Sequence, residues 1–240
     1  MGNKIISIHQ PNFFPWLGYF DKIIRSDIFI FLDDVQFPKT GGTWSNRVMV
    51  LNQGVSQWLT VPIERNYTGT KNVNEIYFSS KENWRDRVVK SVRGSYRKAP
   101  FFNEVINDIE ILINNPVGNL SDYNKNTILE ICKLLKIDIS QIKSSSDYPT
   151  SAVATERLIE LTHRMEGNVY MCGGGASGYQ EDEMFLNAGV TLQYQNFTSK
   201  EYKQLNTNTF VNGLTIIDAL MNCGYEGTRN ILIKAANNEN

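Results

Sequence analysis

The sequence predicts an α/β protein: a Rossmann-like parallel sheet core carrying an inserted small antiparallel sheet and a helical middle segment. Three observations lead there. A β-branched run, a helix-spaced stretch and a second apolar run follow one another within about 30 residues, which is the length of a βαβ unit. Strand and helix patterns alternate again over the last third of the chain. Between these regions lie short strand-like runs broken by glycine and asparagine, followed by a long helical stretch.

Taken in order, KIISI at 4–8 is a buried strand that ends at a His-Gln-Pro turn. WLGYFDKIIRS has apolar residues at 16, 17, 20, 23 and 24, the spacing of a helix. DIFIFLDDVQF is a continuous apolar run closed by two acids, the second buried strand. WSNRVMVL, QWLTVPI and VNEIYFSS read as short strands separated by turns such as NQG at 52–54. From about 81 to 150 the pattern is mainly helical: Trp84, Val88, Val92 and Tyr96 recur every four residues, Pro100 interrupts, and FFNEVINDIEILI resumes. Ser121 is a plausible N-cap for a further helix at about 120–136. SAVATERLIELTHRME then reads as a helix, NVYMCGGG as a strand running into a glycine turn, EDEMFLNAG as a short helix and VTLQYQNF as a strand. LTIIDALMNCG is a helix stopped by Gly224, and TRNILIKAAN is the last helix. With 240 residues and neither a repeat nor a linker, the chain is read as a single domain over 1–240.

Composition narrows the function classes. The net charge is −1, so no global attraction to DNA or to an anionic membrane is expected. No apolar run approaches the roughly 20 residues of a membrane span, and the first residues lack the apolar stretch of a signal peptide. Cys132, Cys172 and Cys223 form an odd set with no close pair. They are expected to be reduced thiols in a cytoplasmic protein, with no metal site.

Six segments carry candidate chemistry. His9-Gln10-Pro11-Asn12 follows the first strand, where open α/β sheets hold their ligands, and a histidine there is suited to general-base work; the alternative is a turn cap packed under Trp16. Asp33 and Asp34 close the second strand. If the two strands are parallel neighbours, their ends lie about 4.8 Å apart and an aspartate pairs with His9; the alternative is a solvated turn. In GGTWSNR, Trp44, Asn46 and Arg47 offer stacking, amide recognition and an anion clamp. In CGGGASGY, the turn around Gly174 exposes backbone N–H groups, with Ser177 and Tyr179 as ligand contacts and Cys172 as a buried thiol. Asp218 and Asn222 share a helix face. A stripe of Lys90, Arg93 and Arg97 could bind phosphate or an acidic carrier protein; the alternative is a solvated face.

IHQPNFFPWLGYFDKI resembles the opening signature of the WbqC-like family of bacterial proteins. The likeness continues through LDDVQFPK, TWSNR, WLTVPI, GGGASGYQEDEMFLNAGVTLQYQNF and LTIIDALMNCG. It implies a place in surface-polysaccharide (O-antigen, lipopolysaccharide) biosynthesis, and an acyltransferase or aminoacyltransferase acting on the amino group of a nucleotide-linked sugar, with glycine as one candidate acyl group. By that match His9, Gln10, Asn12, Trp16, Asn46, Arg47, Ser177, Tyr179, Asp218 and Asn222 are the expected site residues. The family's His and Pro near Tyr202 and Gln204 are replaced in TSKEYKQL, which leaves that segment without an assigned role.

On this reading His9 is the base and Asp34 orients it. Trp16 or Trp44 stacks on a ring, and backbone amides of 173–175 hold an oxyanion. No cofactor is tightly bound. The acyl donor is a carrier-bound thioester, an aminoacyl-tRNA or an ATP-activated acid, the first implying an acyl carrier as partner. A homodimer is left open. The alternatives are an ATP-dependent amide-forming ligase working through an acyl-adenylate, and a non-catalytic sugar-binding or scaffold protein. The strand–His–helix–strand layout also resembles nucleotidylyltransferase-like folds, although their HxGH spacing is absent.

Overall fold

The computed structural model describes residues 2–173 and 182–237. Its centre is a five-stranded, wholly parallel sheet. β1 (Ile5–His9) lies in the middle, with β2 (Ile28–Phe31) and then the edge strand β5 (Ile142–Ser144) on one side, and β6 (Val169–Cys172) and then β7 (Thr191–Tyr194) on the other. The chain first builds outward from β1 through α1 (Leu17–Ile24) to β2 and β5. It then crosses back through α5 (Ala154–Arg164) to β6, and through α6 (Asp182–Asn187) to β7. The strand order therefore reverses between β1 and β6, and an open α/β sheet forms a ligand crevice beyond the carboxyl ends at such a reversal.

The period-two alternation of strands gives the sheet two apolar faces. Ile6, Ile8, Ile28 and Ile30 join Leu161, Tyr170, Cys172 and Phe185 in one core. Phe29 and Phe31 point the other way, into a larger core with Phe20, Ile23 and residues of α7 (Ile216–Ala236). That larger core continues into the insertion between β2 and β5. The insertion holds the hairpin β3 (Arg47–Asn52) and β4 (Val55–Thr60), then α2 (Trp84–Tyr96), α3 (Phe102–Ile113) and α4 (Leu120–Leu134). Trp84, Val88, Val92 and Tyr96 are all buried, as their spacing predicts. Gln53 and Gly54, both at positive φ, make the two-residue turn that suits the hairpin's twist.

Three local expectations are corrected. VNEIYFSS is not a strand: Asn72 and Glu75 form a reciprocal capping box that winds Val73–Glu75 into a 3-10 turn, and only isolated bridges follow. The cap of α4 is Asn119, whose side chain accepts from the Asp122 N–H at 3.1 Å, while Ser121 is buried at the second position of the helix. The middle segment is not helical throughout, because β5 and a 3-10 turn at Ser145–Asp147 fall inside it. Gly224 ends the first helical stretch as expected: its non-helical backbone (φ 67°, ψ −177°) separates two helical segments within Ile216–Ala236. Among the described residues no helix is long and apolar enough to cross a membrane. None of the three cysteines is in a disulfide.

Candidate functional site

β1 carries His9 at its carboxyl end, beside the strand-order reversal and opposite Phe31 of β2. The imidazole Nδ1 lies 3.0 Å from the Gln10 carbonyl oxygen. A carbonyl can only accept, so Nδ1 carries the proton and Nε2 keeps its lone pair. Tyr19 fixes this arrangement twice: its hydroxyl donates to the same Gln10 oxygen at 3.0 Å, and its ring meets the imidazole edge-on at 4.8 Å. Burial, then the positive charge of Lys22, lower the His9 pKa to about 4, against the opposing pull of the Gln10 carbonyl. His9 is therefore neutral across the physiological range.

Lys22 is the residue that sequence reasoning missed. α1 has seven consecutive buried residues, Leu17 to Ile23, because the sheet covers one side and α7 another, so its two charged residues go inside as well. Asp21 is met by the Gln195 amide at 2.7 Å and by Arg25 at 3.5 Å, with burial still raising its pKa. Lys22 is only 3% exposed, donates to the Ile8 carbonyl at 3.3 Å, and has no carboxylate partner among the described residues. Burial lowers its pKa to about 8, and it senses Cys172 at the end of β6. An ammonium buried without a counter-ion costs several kcal/mol, which makes Lys22 a candidate functional group.

Asn12 is 5% exposed, and its amide makes no hydrogen bond among the described residues. The Gln10 side chain is half-buried and likewise uncommitted. Trp16 caps α1 and meets Phe197 edge-on at 5.3 Å. Cys172 is buried, with its Sγ 3.6 Å from the Gln193 carbonyl.

The aspartates do not join this group. Asp33 accepts from Lys125 Nζ at 2.9 Å, Ser146 N at 3.1 Å, Ser146 Oγ at 3.0 Å and Ser145 Oγ at 3.2 Å. Asp34 is taken by Arg157 of α5 and by Ser145. No hydrogen bond joins either carboxylate to His9. The pair clamps β5 and α5 onto the end of β2, so the expected imidazole–carboxylate couple is not formed in this structure.

The 41–47 loop is sewn to the His9 segment. The Phe13 N–H donates to the Trp44 carbonyl at 2.8 Å, and Asn124 Nδ2 bridges the Pro11 and Ser45 carbonyls at 3.0 and 2.8 Å. Asn46 closes the loop itself, accepting from Thr43 N at 2.9 Å and donating to the Val61 carbonyl at 3.1 Å. Arg47 lies 4.2 Å over the ring of Trp58, and Trp58 meets Trp44 edge-on at 5.1 Å. With Trp44 45% and Trp58 43% exposed, the three form an open aromatic–cationic platform. Arg47 and Asn46 also line a cavity of about 710 Å³ with Arg65 and Lys81.

Asp218 and Asn222 lie elsewhere. Asp218 is fully buried; Tyr202 and Gln204 donate to its Oδ2 at 2.7 and 3.0 Å, and burial raises its pKa. TSKEYKQL thus supplies the partners of Asp218. Asn222 donates to the Asp218 carbonyl at 2.8 Å. Of the basic stripe, Arg93 pairs with Glu110 of α3, while Lys90 and Arg97 face solvent. Gly174, Ser177 and Tyr179 lie outside the described residues. Among those described, no group of three or more His, Cys, Asp or Glu side chains could hold a metal ion.

A model of the WbqC-like protein family matches residues 10–230. The chain is 29% identical over 225 residues to Uncharacterized protein Rv1507c of Mycobacterium tuberculosis, covering 93% of this chain and 95% of that one. No solved structure matches it.

Proposed function

Because the chain belongs to the WbqC-like protein family, we propose that it is a transferase that acylates the amino group of a nucleotide-linked sugar in surface-polysaccharide (O-antigen) biosynthesis. One observation carries this reading: a neutral imidazole with a free Nε2 at the strand-order reversal, backed by a buried ammonium. The amine attacks the activated carbonyl of the acyl donor, and a carbon–nitrogen bond forms. In the tetrahedral adduct the nitrogen becomes acidic, and His9 Nε2 takes its proton. The donor's leaving group departs with the electrons of its bond to the acyl carbon and receives that proton from His9. With its pKa lowered to about 4, His9 is neutral before the reaction, so Nε2 is available to accept the proton and passes it on readily to the leaving group. Lys22 acts through charge, disfavouring a persistent imidazolium. Asn12 and Gln10 offer uncommitted amides to the acceptor, and the Trp44–Trp58–Arg47 platform suits a sugar or base ring and its diphosphate.

The test is to incubate purified protein with UDP- and dTDP-aminosugars and candidate acyl donors, reading products by mass. His9→Gln is expected to abolish product, a loss on the order of 10²-fold or more, with acceptor binding retained. Undiminished product from His9→Gln rejects the reading. The position of the crevice also favours a second enzyme, an amide-forming ligase working through an acyl-adenylate, since nucleotides bind at such reversals. An absolute requirement for ATP and Mg²⁺ selects the ligase.

A further inference from the structure

Away from the end of β1, the segment after α2, the 203–208 loop and the first half of α7 enclose a cavity of about 670 Å³. Its walls carry Lys98, Lys203, Asn206, Thr207, Asn208 and Asn222. The volume is that of a small-molecule site. No carboxylate lines it, and neither lysine forms an ion pair among the described residues. Asp218, fully buried behind the wall with its Oδ2 held by Tyr202 and Gln204, does not itself line the opening.

Asn222 gives the cavity its polarity. It is 8% exposed, its Nδ2 is committed to the Asp218 carbonyl, and its Oδ1 has no partner among the described residues. Two features of the backbone hold the walls. α7 breaks just beyond Asn222, at Gly224 (φ 67°, ψ −177°), and the Phe101 N–H donates to the Met221 carbonyl at 3.0 Å. Across the cavity the hairpin turn braces the loop: a Cβ on Gly54 would sit 2.3 Å from the Asn206 carbonyl oxygen. Two unpaired ammoniums and an unused amide oxygen on one cavity lining match a ligand that carries both an anionic group and hydroxyls.

We propose that this cavity binds a sugar phosphate, its phosphate held by Lys98 and Lys203 and a hydroxyl donating to Asn222 Oδ1. The site is distinct from the crevice at His9 and does not depend on the transfer reaction. Calorimetric titration of the full chain with N-acetylglucosamine 1-phosphate, inorganic phosphate and N-acetylglucosamine tests it. Saturable binding is expected, tightest for the sugar phosphate. The Lys98→Ala/Lys203→Ala double variant, altered only at exposed positions, is expected to weaken it by about tenfold or more, through the lost charge-assisted bonds. Asn222→Asp, which places a negative charge beside the anion, is expected to weaken it too, whereas His9→Gln leaves it unchanged. Absence of saturable binding, equal binding by the double variant, or loss of binding in His9→Gln overturns the proposal.

Discussion

Lys22 is held in a charged, buried state that the fold alone does not require. A methionine of similar length fits a buried helix face without the desolvation cost of an ammonium. Lys22→Met is therefore expected to stabilise the protein by about 1–4 kcal/mol while lowering its activity. The pH dependence carries the same signature. Lys22 releases its proton near pH 8 in the folded chain but near 10.5 when unfolded, so between those values the unfolded chain binds the extra proton. Wild-type stability then climbs with pH across this window, and the Met variant lacks that climb. Chemical denaturation of both proteins at pH 7, 9 and 10 measures both effects; a destabilised Met variant with an unchanged pH profile contradicts the account. His9 was legible in the sequence because a strand end followed by Gln-Pro places it at a sheet's rim. Lys22 was not, because its burial depends on α7, which packs on α1 from some 200 residues along the chain, though an unbroken buried face from Leu17 to Ile23 was the signal to read.

The kink at Gly224 joins two halves of α7 that must meet different neighbours. Its φ of 67° disfavours any residue with a side chain, and an added Cβ would also lie 2.6 Å from the Phe101 ring. Gly224→Ala is expected to cost about 2–4 kcal/mol, as strain and overpacking combine. Urea titration gives the value, and a cost below about 1 kcal/mol would mean that the ring and backbone relax freely. This break was readable, since glycine after a helix-spaced run ends or bends it. β5 was not: Ile142–Ser144 is too short to show a period, and it becomes a strand only because β2 offers a parallel edge and the clamp at Asp33 holds the next residues. Val73–Glu75 was misread because alternating apolar residues look like a strand, yet Asn72 and Glu75 had the spacing of a capping box.

Across the whole molecule, the βαβ opening predicted a parallel pair, but nothing local in the sequence says on which side of β1 the later strands land. β6 lands opposite β2, and that choice places the strand-order reversal between the ends of β1 and β6. It also leaves Asp33 and Asp34 on the far side of β1 from β6, as structural clamps, and Asp218 and Asn222 in another part of the fold. Residues that looked like one site by motif therefore serve three places: the strand reversal, the Arg47–Trp58 platform and the Lys98–Asn222 cavity.

The chain has two histidines, and His163 is exposed on α5, which makes it an internal reference. Side-chain ¹⁵N NMR, with and without a UDP-aminosugar, tests the crevice directly. The account predicts that His9 is neutral with Nδ1 protonated down to about pH 4, and that the ligand shifts its signals and leaves those of His163 in place. A His9 that carries its proton on Nε2, or that gains a second proton near pH 6.5, or that does not respond to the ligand contradicts it.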